Sequence, residues 1–109
     1  MHELALSEDI VNAVRERLGE RRVLRVRLEI GRLMAVVPEA LEFSFEVCAR
    51  GTSLEGASLV IDTVAARGDC RACGAQLELD DPIPLCDCGS ADVAISGGNT
   101  LRIKDVEVI

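Results

Sequence analysis

The sequence predicts an α+β fold. Two stretches repeat apolar residues at the helical interval, three alternate with the period of a strand, and a segment rich in Cys, Asp and Gly separates the last strand from the others. From Leu4 to Leu18 the residues Leu6, Ile10, Val14 and Leu18 fall four apart, with Val11 on the same side, and Gly19 closes the helix. Ser7, Glu8, Asn12, Arg15 and Glu16 fill the other faces, which are expected to be wet. Val23 to Ile30 alternates, Leu24, Val26, Leu28 and Ile30 pointing one way and Arg25, Arg27 and Glu29 the other, as in a half-buried strand ended by Gly31.

Pro38 has no N–H to leave unpaired and suits a first helical position, and Glu39 and Glu42 suit the positive helix end. This second helix should run to about Arg50, bury Leu41, Ser44, Phe45 and Cys48, and stop at Gly51. Ser58 to Val64 reads as a second strand. Near the end, Leu101 and Ile103 share a face while Val106 and Val108 have the opposite parity, which a bulge near Asp105 would realign. Between the second and last of these strands, residues 67–98 are poor in apolar runs and read as an insertion whose ends lie close together. Short strands fit Gln76 to Leu79 and Val93 to Ile95 within it.

Composition narrows the function. With 109 residues and 49% apolar, the chain can bury a modest core, built from Leu, Ile, Val and Ala because its only aromatic residues are Phe43 and Phe45. A formal charge of −7 opposes phosphate backbones and anionic membranes, so neither nucleic acid nor membrane is expected as a partner. No apolar run approaches a membrane span and the start lacks the pattern of a signal peptide, so a cytoplasmic protein is expected. In that reducing compartment its five cysteines are expected as metal ligands or buried thiols rather than disulfides.

Two places carry metal chemistry. The chain opens Met1-His2-Glu3, and its only histidine stands beside the α-amine. The Met1 amine, the His2 amide and the His2 imidazole can close fused rings on one metal, with the Glu3 amide at a fourth corner. Four in-plane nitrogens suit square-planar Ni(II) or Cu(II), whereas Zn(II) has no electronic reason to flatten. Against this stands the plain reading of His2 as a solvated residue on a frayed terminus.

The second place is a pair of cysteine turns. Cys70 and Cys73 form C-x-x-C followed by Gly74, and Cys86 and Cys88 form a tighter C-x-C followed by Gly89. Two such turns facing each other make a zinc ribbon, since two residues between thiolates let both reach one ion at about 2.3 Å and the glycine takes a conformation that a Cβ disfavours. Zn(II) is the expected metal, with thiol redox or spare reduced cysteines as the other reading. The second turn is one residue short, which should deny it the usual amide-to-sulfur contact and makes Asp87 and Asp92 candidate substitutes. Cys48 is expected as a small core residue.

Taken in order, Met1-His2-Glu3-Leu4, Leu28-Glu29-Ile30-Gly31, Phe43 and Phe45, the cysteine turns and Leu101-Arg102-Ile103-Lys104 resemble, over the whole chain, the HypA/HybF nickel metallochaperones of nickel–iron hydrogenase maturation. The resemblance implies an α+β fold of two helices packed on a three-stranded sheet with an inserted zinc-ribbon subdomain. A nickel-binding domain of residues 1–66 plus 97–109 would then surround a ribbon of residues 67–96. Family nickel binding carries over to Met1, His2 and Glu3, and the zinc ligands to Cys70, Cys73, Cys86 and Cys88, although Cys86-Asp87-Cys88-Gly89 departs from the family's usual C-P-x-C-G. Transported Ni(II) and structural Zn(II) are the implied metals. Delivery of nickel, with a HypB GTPase partner, to the hydrogenase large-subunit precursor is the implied function, by a monomer or weak homodimer.

The residues themselves agree on metal binding without catalysis, because the only histidine is at the terminus and no nucleophile and base pair can be argued. Two other classes compete. A zinc-ribbon regulatory or nucleic-acid-binding module has the wrong charge and lacks stacking aromatics, while a rubredoxin-like iron protein for electron transfer would also use four thiolates.

Overall fold

The computed structural model describes residues 2–80 and 83–109. The order of elements is α1 (Glu3–Leu18), β1 (Val23–Gly31), a 3-10 turn (Arg32–Met34), α2 (Pro38–Ala49), β2 (Ser58–Val64), β3 (Ala66–Cys70), β4 (Gln76–Leu79), β5 (Val93–Ser96) and β6 (Leu101–Val108). They form two three-stranded sheets, ordered β2-β1-β6 and β4-β3-β5, and the chain divides into two compact units.

The first unit runs to Glu29 and takes in Val36–Asp62 and Arg102–Ile109. Its core holds Ile10, Val11 and Val14 of α1, Val23, Val26 and Leu28 of β1, and Leu41, Phe45 and Ala49 of α2. Each fully buried Leu, Ile, Val or Phe contributes on the order of 1.5–3 kcal/mol. The apolar stripe of α1 also includes Ser7, which was expected on a wet face and is instead fully buried. Ser7 precedes Ile10 and Val11 at helical spacing, and its small side chain lets α1 approach α2 while Oγ donates to the Leu41 carbonyl at 3.3 Å. On α2 only Leu41, Phe45 and Ala49 are fully buried, whereas Ser44 and Cys48 are half-buried and Phe43 is 67% exposed. Phe43 therefore adds nothing to the core.

Ion pairs between β1 and β6 show how these strands align. Glu29 faces Arg102, Arg27 faces Asp105 and Arg25 faces Glu107, so the strands run antiparallel. Glu29 and Arg27 are two positions apart, but Arg102 and Asp105 are three, so β6 holds one extra residue there. That slip turns Leu101, Ile103, Val106 and Val108 to one half-buried face, as the change of parity near Asp105 requires. A compensating slip lies in β1. The Ile109 amide donates to the Arg22 carbonyl, three residues from Arg25 against two from Glu107 to Ile109. Burial changes parity at the same place, so Val23 is buried and Leu24, expected inside, is 43% exposed.

The second unit comprises Ile30–Ala35 and Thr63–Leu101, and the insertion expected at 67–96 lies within it. Strand β3 pairs antiparallel with β4, Ala66 opposite Leu79, and with β5, Cys70 opposite Val93. The sequence gives little sign of β3, because its inward residues Ala66, Gly68 and Cys70 are small and none has strong β-propensity. Their smallness has a cause: a Cβ on Gly68 would stand 2.7 Å from Val93 Cγ1. Two other glycines permit backbones to touch. A Cβ on Gly31 would lie 2.1 Å from the Gly98 carbonyl carbon, and Gly98 adopts a φ of +70° against the Ala66 backbone. The Gly31 and Leu33 amides donate to the Thr100 and Gly98 carbonyls at 2.8 Å, which fixes the 3-10 turn in this unit.

Candidate metal sites

The four sulfurs of Cys70, Cys73, Cys86 and Cys88 all lie within 4.8 Å of one another, and no other group of three or more His, Cys, Asp or Glu among the described residues could hold an ion. Cys70 Sγ is 3.7 Å from Cys88 Sγ, and Cys73 Sγ is 3.6 Å from Cys86 Sγ. A regular tetrahedron with metal–sulfur bonds of about 2.3 Å has edges of about 3.8 Å, so these separations suit one tetrathiolate metal. Cys70 and Cys86 are buried and Cys73 and Cys88 exposed, which gives the cluster an inner and an outer edge.

Both turns close in the same way. In the first, the Gly74 amide donates to the Cys70 carbonyl and the Cys70 amide to the Ala75 carbonyl; in the second, the Gly89 amide donates to the Cys86 carbonyl and the Cys86 amide to the Ser90 carbonyl. All four bonds are 2.9 Å. The second turn keeps the pattern with one residue fewer in each ring, and glycines at φ +79° and +92° make both turns accessible.

In both turns the amide of the second cysteine favours the thiolate of the first. The Cys73 amide, opposed by burial and aided by the Ala72 amide and the neighbouring thiols, brings the Cys70 thiol down to about 7. At Cys86 the Cys88 amide favours the thiolate, but burial and the surrounding thiols outweigh it and push the thiol up to about 12. A divalent cation would hold all four as thiolates. The substitutes considered for a missing sulfur are elsewhere engaged or outside the group: Asp92 pairs with Arg71 at 2.7 Å, and Asp87 is exposed and not among the clustered side chains. Cys48 stands apart, half-buried on α2, its thiol pushed up by burial and by the charge of Glu8.

At the other candidate site, Met1 lies outside the described residues. His2 is exposed and occupies the position before α1, where its carbonyl accepts the Leu6 amide at 3.1 Å. Its imidazole has no hydrogen-bond partner among the described residues. The amides of His2 and Glu3 belong to the first turn, which has no upstream carbonyls to receive them, so losing those protons to a metal would break no helical bond. The positive end of the helix would also favour the resulting negative nitrogen. Glu3 is more constrained than its place in the chain suggests. Its carboxyl group is held below its usual range by its own amide and by that of Val37, the latter at 3.4 Å.

Known proteins resemble the chain over nearly its whole length. Residues 1–108 match the family model described as hydrogenase/urease nickel incorporation, metallochaperone, hypA. The hydrogenase maturation factor HypA of Nostoc sp. is 44% identical over 108 residues, covering 99% of this chain and 96% of that protein. That of Geobacter metallireducens is 45% identical over 111 residues, covering 99% of each. Among solved structures, the nickel metallochaperone HypA of Helicobacter pylori superposes with a TM-score of 0.64 over 100% of this chain and 98% of that one, at 20% identity, a likeness of fold. With its two helices, two small sheets and four-cysteine cluster, the chain belongs to the HypA family of nickel-incorporation metallochaperones that serve hydrogenase maturation.

Proposed function

We propose that this protein binds Ni(II) through the Met1 amine, the His2 amide and imidazole and the Glu3 amide. It delivers that ion, with a HypB GTPase as partner, to the hydrogenase large-subunit precursor in the cytoplasm. The observation that carries this reading is the exposed His2 at the start of α1, without a side-chain partner among the described residues and next to amides that the helix does not use. Four nitrogen donors, two of them ionised amides, create the strong in-plane field that Ni(II) prefers. The protein acts as a carrier rather than a catalyst. Residues 1–66 plus 97–109 are proposed as the nickel-binding domain and 67–96 as the ribbon. There Cys70, Cys73, Cys86 and Cys88 hold Zn(II), which cross-links the two turns.

The test is a Ni(II) titration of three chains: native, extended by one residue ahead of Met1, and His2→Ala. Extension converts the amine into an amide and removes an anchoring donor, so affinity and the nickel absorption spectrum should both change, and His2→Ala should do at least as much damage. Unchanged binding in the extended chain would exclude this geometry. Because every donor must give up its proton, affinity should also fall steeply on acidification.

A further inference from the structure

We infer that the free edge of β6 and the groove it forms with α1 dock an extended, acidic segment of a partner protein by strand addition. The groove has a volume of about 620 Å³. Its floor is apolar, with Val14 and Leu18 contributed by α1 and Ile103, Val106 and Val108 by β6. Among the described residues its rim carries Arg17 and Arg21 and no carboxylate. Most cations of this chain are paired with acids, but neither of these has an ion pair or side-chain hydrogen bond among the described residues. A helix C-terminus favours a cation by itself. Here, however, two unpaired cations flank an apolar floor in a chain whose net charge is −7.

Strand β6 is an edge of its sheet, so alternate backbone N–H and C=O groups lack ladder partners. It contains no proline, and its one lysine, Lys104, is turned towards Asp62 at 3.9 Å instead of guarding the edge. Asp105 to Val108 lies beside the groove, and its outward acids Asp105 and Glu107 are already answered by Arg27 and Arg25 of β1. A strand added there would alternate its side chains, one set entering the groove and the other facing solvent, while the backbone gives affinity and the rim selects charge. The opposite edge offers a contrast within the same sheet. The groove between α2 and β2 is lined by Glu42, Glu46 and Glu55 beside a single arginine, Arg50, and would repel the same segment. A second copy of this chain is disfavoured by the mutual repulsion of two bodies of charge −7.

The probe is a synthetic ten-residue peptide alternating valine and glutamate, added to the zinc-loaded, nickel-free chain so that the outcome is independent of nickel binding, and followed by amide NMR. Saturable shifts should appear in β6 and the last turns of α1, with alternate β6 amides newly protected from exchange. Arg17→Glu with Arg21→Glu, both at the surface, should weaken binding at least tenfold with the amide spectrum otherwise native. The neutral pair Arg17→Gln with Arg21→Gln should fall in between. A valine–lysine peptide should bind at least tenfold more weakly than the glutamate one, and a peptide N-methylated along one edge should lose binding. Equal binding of the two charges, shifts confined to the β2 groove, or binding indifferent to N-methylation would overturn the proposal. So would self-association of the native chain that the double reversal abolishes, since the occupant would then be a second copy.

Discussion

Arg71 and Asp92 are joined twice: the Arg71 amide donates to the Asp92 carbonyl at 2.9 Å, and the guanidinium reaches the Asp92 carboxylate at 2.7 Å. One residue follows the first cysteine of its turn, and the other lies between the second turn and β5. The link therefore draws together the two segments that present the sulfurs. It also explains why Asp92 is no ligand, since its charge is already answered outside the cluster. Both side chains are 63% exposed, so the ion pair itself contributes less than about 1 kcal/mol.

It follows that Asp92→Ala should leave the metal's coordination unchanged. X-ray absorption of the zinc-loaded protein should show four sulfurs at about 2.3 Å in both native and variant chains, colourless in solution where an iron tetrathiolate would be red. A shorter oxygen shell that disappears in the variant would contradict the assignment. Cys88→Ser should lower zinc retention, because no further His, Asp or Glu among the described residues joins the cluster.

Removal of the metal should loosen the second unit far more than the first. In Cys73→Ala, hydrogen exchange should accelerate across residues 67–96 while amides of α1 and α2 keep their protection, since the first unit has its own core. Loss of protection throughout the chain would show that the two units unfold together.

In the metal-free protein the thiols should titrate far apart. Ultraviolet thiolate absorbance should show a step near pH 7 that Cys70→Ser removes, and another thiol that stays protonated well past pH 10. The signs follow from each direction. Cys70, lowered below its ordinary 9, stabilises the metal-free ribbon above that pH and loses the contribution as pH falls through about 7. Cys86, raised, stabilises it below 9 and loses the contribution as pH rises through about 12.

Two substitutions separate close packing from backbone conformation. Gly31→Ala sets a Cβ against the Gly98 and Asn99 backbone and should cost more than about 3 kcal/mol, whereas Gly97→Ala, at φ +72° with nothing within 4 Å, should cost about 1 kcal/mol. Urea unfolding of both variants measures the difference. In the same assay Ser7→Ala should lose about 1 kcal/mol with the hydrogen bond to Leu41, and Ser7→Leu should lose more by forcing α1 and α2 apart.

The sequence exposes those features that repeat. Apolar spacing marks α1 and α2, alternation marks β1, β2 and β6, and the parity change near Asp105 reveals the slip in β6, because each is a periodic signal that burial enforces. It conceals features in which a residue is chosen for what it lacks. Strand β3 is hidden because Ala66 and Gly68 are selected for small size, and Ser7 reads as wet because a hydroxyl looks the same in sequence whether water or a carbonyl receives it. Leu24 misleads because a compensating slip in β1 changes its parity, and only the pairing with β6 shows it. At the cysteine turns, spacing alone suggests that the shortened pair should lose its amide contact. The shortened turn closes with the same two backbone bonds drawn across a smaller ring, which spacing alone does not reveal.

Two of the buried residues that form the small core of the second unit, Cys70 and Cys86, are also the inner edge of the sulfur cluster, packed with Ala66, Leu79 and Val93. Mutational drift at these positions is therefore restricted twice. An imidazole or carboxylate at either position would place a polar group against the buried side chains of Leu79 and Val93. Cys73 and Cys88, on the exposed edge, answer only to the metal. Exchanging a ligand at Cys73 or Cys88 would be felt only at the metal, whereas the same change at Cys70 or Cys86 would also open the core of this unit.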